Sequence, residues 1–365
     1  MTTSGDVPLD LDSEPGVSDI PLGTLLTSTT VIAASIDTGR RLLGRPDEFV
    51  NSQSQFDRQA RVNVAEAILT VTPSIYLDFV SAQVMPWTAD ELAALKAITQ
   101  SIERIVSRWP GITLPESLFL VKTSGREEGF AAYTRHKNVV ALPANMVASL
   151  KTTPNFGDPL HPSESHVFLR DLIVHELFHI ISKNNPSLRE ALYSVVHYQL
   201  TPEPVALPDV PWPHRTSPQS MPTMVITNPD APALDVYIDM RVREDPFDPK
   251  SEVVTRHLLP VLMASEPYTH GLFFDYLVWY FIEVEPNAQG RWNAATGRDE
   301  RPIVYLMHPE DEQLSDQYKE LIGRNLSGER FHPEEIIANN FVFVANLPSL
   351  GLLERIEHEF TASGK

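Results

Sequence analysis

The sequence predicts an α+β protein: a small mixed sheet, a buried helix after it, an irregular or β-rich insertion, and a helical C-terminal lobe. Three observations predict it. Short apolar runs of strand length, bounded by turn residues, occupy 117–142. An apolar stretch too long for a strand runs from Phe168 to Ile181 and encloses His175-Glu176-Leu177-Phe178-His179. Prolines crowd 202–232, whereas helical patterning returns after 311.

Taken in order, residues 1–22 are acidic, carry Gly, Pro and Ser, and lack periodic apolar positions, so a disordered tail is expected. Residues 23–110 read as mainly helical. Thr88-Ala89-Asp90-Glu91 looks like an N-cap and acidic first turn, followed by Leu92, Leu95, Ile98, Ile102 and Ile105 at helical spacing, up to the stop at Trp109-Pro110-Gly111. Residues 111–200 are expected to form the core. It would have strands at 117–122, 130–135 and 139–142, the last two paired across His136-Lys137-Asn138. A short helix at 144–151, a Pro-containing loop at 152–162, the apolar helix and a further helix to about Gln199 complete it. Residues 201–310 read as a Pro-rich insertion, with 235–240, 253–259 and 272–284 as strands or short helices. Residues 311–365 read as helices at 311–325, 333–346 and 348–361.

The apolar stretch carries the chemistry. Two histidines four apart on a helix project from one face, a turn apart, and so offer two imidazole nitrogens to one Zn²⁺. Glu176, beside the first, is placed to act on water without being a ligand. Burying these three polar side chains among apolar neighbours is costly unless each has a partner, and a metal with its water supplies them.

A catalytic zinc needs a third protein ligand. The HExxHxxGxxH continuation is not met: Ser182 stands for the glycine and Asn185 for the third histidine. Glu190 and His197 lie on the next predicted helix, where a solvent-facing glutamate and a helix-end histidine are the plainer reading. The better candidate is distant, in His332-Pro333-Glu334-Glu335-Ile336-Ile337-Ala338-Asn339. Proline followed by acidic residues starts a helix well. Glu335, Ala338, Asn339 and Val342 then share a face, and the small alanine permits close approach. Glu334 is the rival ligand; its other role is charge at a helix N-terminus.

At these residues the chain resembles the gluzincins, zinc peptidases with an HExxH helix and a glutamate ligand on a later helix. The resemblance covers the two helices, with Glu335-Ile336-Ile337-Ala338-Asn339 matching the Glu-x-x-Ala-Asp/Asn form. It implies a zincin-like core, one Zn²⁺ held by His175, His179 and Glu335, Glu176 as general base, and Asn339 bonded to a ligand histidine from behind. Asn339 departs from the aspartate of thermolysin-like members, so it adds no charge there. The family also implies an edge strand that pairs with extended substrate, for which 129–135 is the candidate. It implies too a donor to the developing oxyanion, for which Tyr133, Tyr305, His308 and His332 are candidates. The implied activity is peptide-bond hydrolysis, most simply by an endopeptidase acting on a protein or peptide. An inactive binding protein of the same fold, or a zinc hydrolase of a non-peptide amide or ester, are the competing classes.

Composition bounds this reading. The 365 residues, 42% of them hydrophobic, suffice for one large domain or two ordinary ones. Cysteine is absent, which removes disulfides and thiolate zinc sites. A formal net charge of −19 disfavours nucleic acid and anionic membranes as partners. No apolar run reaches about 18 residues and no signal peptide opens the chain, so the expected location is cytoplasmic, or outside the cell by a non-classical route.

Overall fold

The computed structural model describes residues 18–63, 70–148, 164–211, 220–244, 250–297, 300–306, 312–323, 330–346, 356 and 359–360. Most of the expected tail, the 152–162 loop, His308 and most of 348–361 lie outside them. The described residues form a mixed α+β structure in two compact units, 1–45 with 77–184, and 46–76 with 185–365. Among them, no helix is long and apolar enough to cross a membrane.

The first unit is built on a five-stranded sheet of β1 (Ile20–Leu25), β2 (Thr29–Ala33), β3 (Ser117–Thr123), β4 (Tyr133–Arg135) and β5 (Val139–Pro143). Their spatial order is β1-β2-β3-β5-β4. β2, β3 and β5 run parallel, while β1 and β4 pair antiparallel at the two edges. The sheet is therefore mixed, and the hairpin across 136–138 is present. β4 is an edge strand, though only three residues long.

The β1–β2 hairpin corrects the N-terminal reading: Ile20, Pro21 and Leu22 belong to a strand, and the region after them opens as sheet. Its turn explains the miss. Leu26 and Thr27 both adopt positive φ, 48° and 61°, without the Asn or Gly that usually signals such a turn. Glu103 accepts the Leu26 N–H at 2.9 Å and helps hold it. The helix Ala89–Val106 begins as expected at a Thr88–Glu91 capping box. It packs on β1, where a Cβ at Gly23 would meet Thr99 Cγ2 at 3.1 Å.

The second unit carries a six-stranded antiparallel sheet: β6 (Tyr198–Leu200), β7 (Val236–Arg243), β8 (Val253–Ala264), β9 (Leu277–Pro286), β10 (Trp292–Ala294) and β11 (Val304–Leu306). The segment expected to be an irregular or β-rich insertion supplies the strands β7 to β11, whereas Gln199 lies in a strand, its helix having ended at Val195. One sheet face is covered by the Pro-rich chain, through Val205, Met221, Met224 and Ile226. Phe56 and Ala60 join that core, so the helix Gln55–Val62 serves this sheet and not an N-terminal helical region. On β9, Trp279 and Phe281 contact Tyr318 of the helix Glu312–Ile322.

Candidate metal-binding residues

The motif helix, Glu164–Asn184, is apolar around most of its circumference: Leu169, Ile173, Val174, Leu177, Phe178, Ile180 and Ile181 are all buried. It packs on β4, β5 and the helix Ala89–Val106. Its C-terminal end is tied to the β4–β5 hairpin. Lys183 Nζ donates to Thr134 Oγ1 at 2.6 Å, and Asn184 Nδ2 to the Lys137 carbonyl at 2.8 Å. The helix carrying the motif is thereby fixed in register against the edge strand.

His175 and His179 lie one turn apart with ring centroids 4.9 Å from each other and planes at 79°. His179 is fully buried, Glu176 is 3% exposed, and His175 is half-buried. The pair therefore has one ring within the unit and one near its surface.

In the second unit the helix Pro333–Asn346 matches the expected bounds. His332 stands at its N-terminus. Its Nδ1 accepts the Glu334 N–H at 3.1 Å, which satisfies a helix-end donor and places the neutral ring's proton on Nε2. The two rival glutamates have different neighbours. Glu334 accepts a 2.5 Å hydrogen bond from the buried Tyr193 hydroxyl, whose acidity is suppressed first by burial and then by Glu334. Glu335 Oε1 accepts from Asn228 Nδ2 at 2.7 Å. Asn228 Oδ1 takes the Asp230 N–H at 2.9 Å, which turns the amide so that its NH₂ faces Glu335.

The remaining candidates fall as follows. Asn339 Nδ2 donates to the Glu335 backbone carbonyl at 2.9 Å, an intrahelical bond. The Tyr133 hydroxyl donates to the buried Glu127 at 3.3 Å, and that of Tyr305 to Glu283 at 3.0 Å. Each thus directs its proton, the one an oxyanion donor must offer, at a neighbouring carboxylate. Glu190 and His197 are exposed, as the plainer reading had them. Asn228 and Tyr193 were not singled out from the sequence. Asn228-Pro229 is a turn signal, but nothing in it points to a residue 107 positions later.

An acidic group sits beside this helix. Burial, with Glu48 and Glu334 adding to it and Arg189 opposing, pushes the Asp235 carboxyl from 3.8 to about 6. Between those values the folded chain keeps a proton that the unfolded chain has lost, so stability falls as pH rises from about 4 to about 6 and is flat above. Asp235→Asn is expected to match wild type near pH 4 and to exceed it by about 2 kcal/mol at pH 7.5. Urea unfolding at the two pH values checks this; an equal difference at both contradicts it.

Compared with protein-family models, curated proteins and solved structures, the chain finds no match.

Proposed function

We propose that this chain is a zinc-dependent peptidase with a zincin-like core, of the gluzincin type. The observation that carries the reading is the pair of imidazoles one turn apart on an apolar helix, with the buried Glu176 between them. The described residues include His, Glu and Asp groups that could hold a metal ion. Two imidazoles and a carboxylate are a donor set that suits Zn²⁺ and leaves a position open.

In this reading His175, His179 and Glu335 hold the ion, which when bound polarises the substrate carbonyl and acidifies water. Glu176 takes the proton of the attacking water and delivers it to the leaving amine. Asn228, which donates to Oε1 of Glu335, would orient that carboxylate from behind. Asn339 would bond to a ligand histidine from behind. Glu334, engaged by Tyr193, serves the helix start instead. In this reading the edge at 129–135 would be the segment that pairs with an extended peptide.

Metal analysis of the purified protein, and incubation with casein and a peptide library with and without chelator, test the proposal. Bound zinc with chelator-sensitive peptide cleavage is expected. Zinc without cleavage favours an inactive binding protein, and cleavage of esters or non-peptide amides alone favours the other hydrolase class. Among ligands, Glu335→Ala is expected to lose zinc while Glu334→Ala keeps it. Asn228→Ala weakens affinity about 10–100-fold. Equal zinc occupancy in the Glu334 and Glu335 variants undoes the ligand assignment.

A further inference from the structure

The second unit contains a partly open cavity of about 270 Å³, walled by apolar side chains that include Val205, Leu234, Val261 and Leu262. Pro204, Pro222, Pro232 and Pro260 also line it. Prolines hold a wall with little conformational entropy to lose on binding, so the pocket is pre-shaped. An apolar cavity of about 150 Å³ holds a benzene ring. This one therefore has room for the side chain of Leu, Met or Phe. Among the described residues no lysine or arginine lines it, so an acidic side chain would enter without a counter-charge from them.

Two of its polar residues connect it to the proposed ligand. Asn228 lines the cavity and donates to Glu335 at 2.7 Å. His332 lines it too and accepts the Glu334 N–H at the start of the same helix. Both side chains are thus set by bonds to Glu334 or Glu335, and the cavity wall and the Glu335 carboxylate share one hydrogen-bonded frame.

We propose that this cavity receives a large apolar side chain of the peptide substrate and sets cleavage preference; this rests on the peptidase reading above. Ala233, partly exposed in the wall, is the position from which the cavity can be filled without cutting into the sheet core. Peptides differing at one position, Leu or Phe against Ala, are compared in wild type and Ala233→Phe, with N-acetylleucinamide binding followed by ligand-observed NMR.

Wild type is expected to prefer Leu or Phe peptides by at least about 10-fold in kcat/KM, and Ala233→Phe to bring that ratio close to one. N-acetylleucinamide is expected to bind wild type and not the variant. Cleavage with the same preference in both proteins overturns the pocket assignment alone. Failure of wild type to bind the amide does the same, whether or not the variant folds. Absence of all peptide cleavage overturns the peptidase reading and the substrate role with it. The NMR arm then still decides whether the cavity takes apolar groups.

Discussion

Glu176→Gln is expected to lower peptide cleavage by about 10²–10⁴-fold while zinc content stays at the wild-type level. Glutamine keeps the shape and polarity of the side chain in a helix position only 3% exposed, so the fold and the histidine pair should be undisturbed. It cannot accept the proton that attacking water must lose. The effect should therefore appear in kcat more than in KM, since an interaction made only as the proton moves does not help bind substrate. Metal analysis and steady-state kinetics on the same preparation make the measurement. Cleavage that survives in this variant removes the proposed mechanism, whatever the metal content.

Arg61→Met is expected to cost about 3–5 kcal/mol of stability. Arg61 and Asp57 are 1% and 0% exposed and paired within the helix Gln55–Val62. The guanidinium also donates to the Thr227 carbonyl at 2.8 Å and lies over the rings of Phe49 and Phe273. Asp57 takes the Thr227 N–H at 2.9 Å, and Ser54 donates to the Val225 carbonyl at 2.7 Å. Burial pushes the Asp57 carboxyl up and Arg61 opposes this, so loss of the guanidinium leaves either an unpaired buried charge or an acid that must be protonated.

The anchored segment is Val225–Thr227, and the next residue is Asn228. Loosening it should therefore speed hydrogen exchange at the Thr227 amide. Zinc affinity should fall by the same route as in Asn228→Ala. Pairing Arg61→Met with Asp57→Leu should restore much of the stability, because the uncompensated group is then gone. A single variant that unfolds within about 1 kcal/mol of wild type, with Thr227 exchange unaltered, would refute this account.

Legibility followed the range of the interactions. Thr88 and Glu91 bond to each other three residues apart, and the helix they open was read to its first residue. The helix Pro333–Asn346 was equally plain, since proline and acidic residues act locally. The hairpin β4–β5 was read from its turn. The β1–β2 hairpin was not, because non-glycine residues occupy its positive-φ turn and the compensating bond comes from Glu103, far along the chain. The 236–286 strands looked ambiguous because their alternation is broken where both faces are covered, as over Leu258 to Ala264.

By itself the sequence determined an HExxH pattern on an apolar helix, a proline-started helix bearing Glu334 and Glu335, and an α+β chain without thiol chemistry. These follow from spacing within one or two turns, which backbone geometry converts directly into a shared face. Only tertiary structure decided that β2 and β3 join in parallel across more than 80 residues, and that residues 46–62 serve the sheet of the second unit. It also decided that Tyr193 takes Glu334 while Asn228 takes Glu335. Those bonds span more than 100 positions, and no local propensity encodes a partner at that distance: burial and hydrogen-bond satisfaction in the folded unit select it.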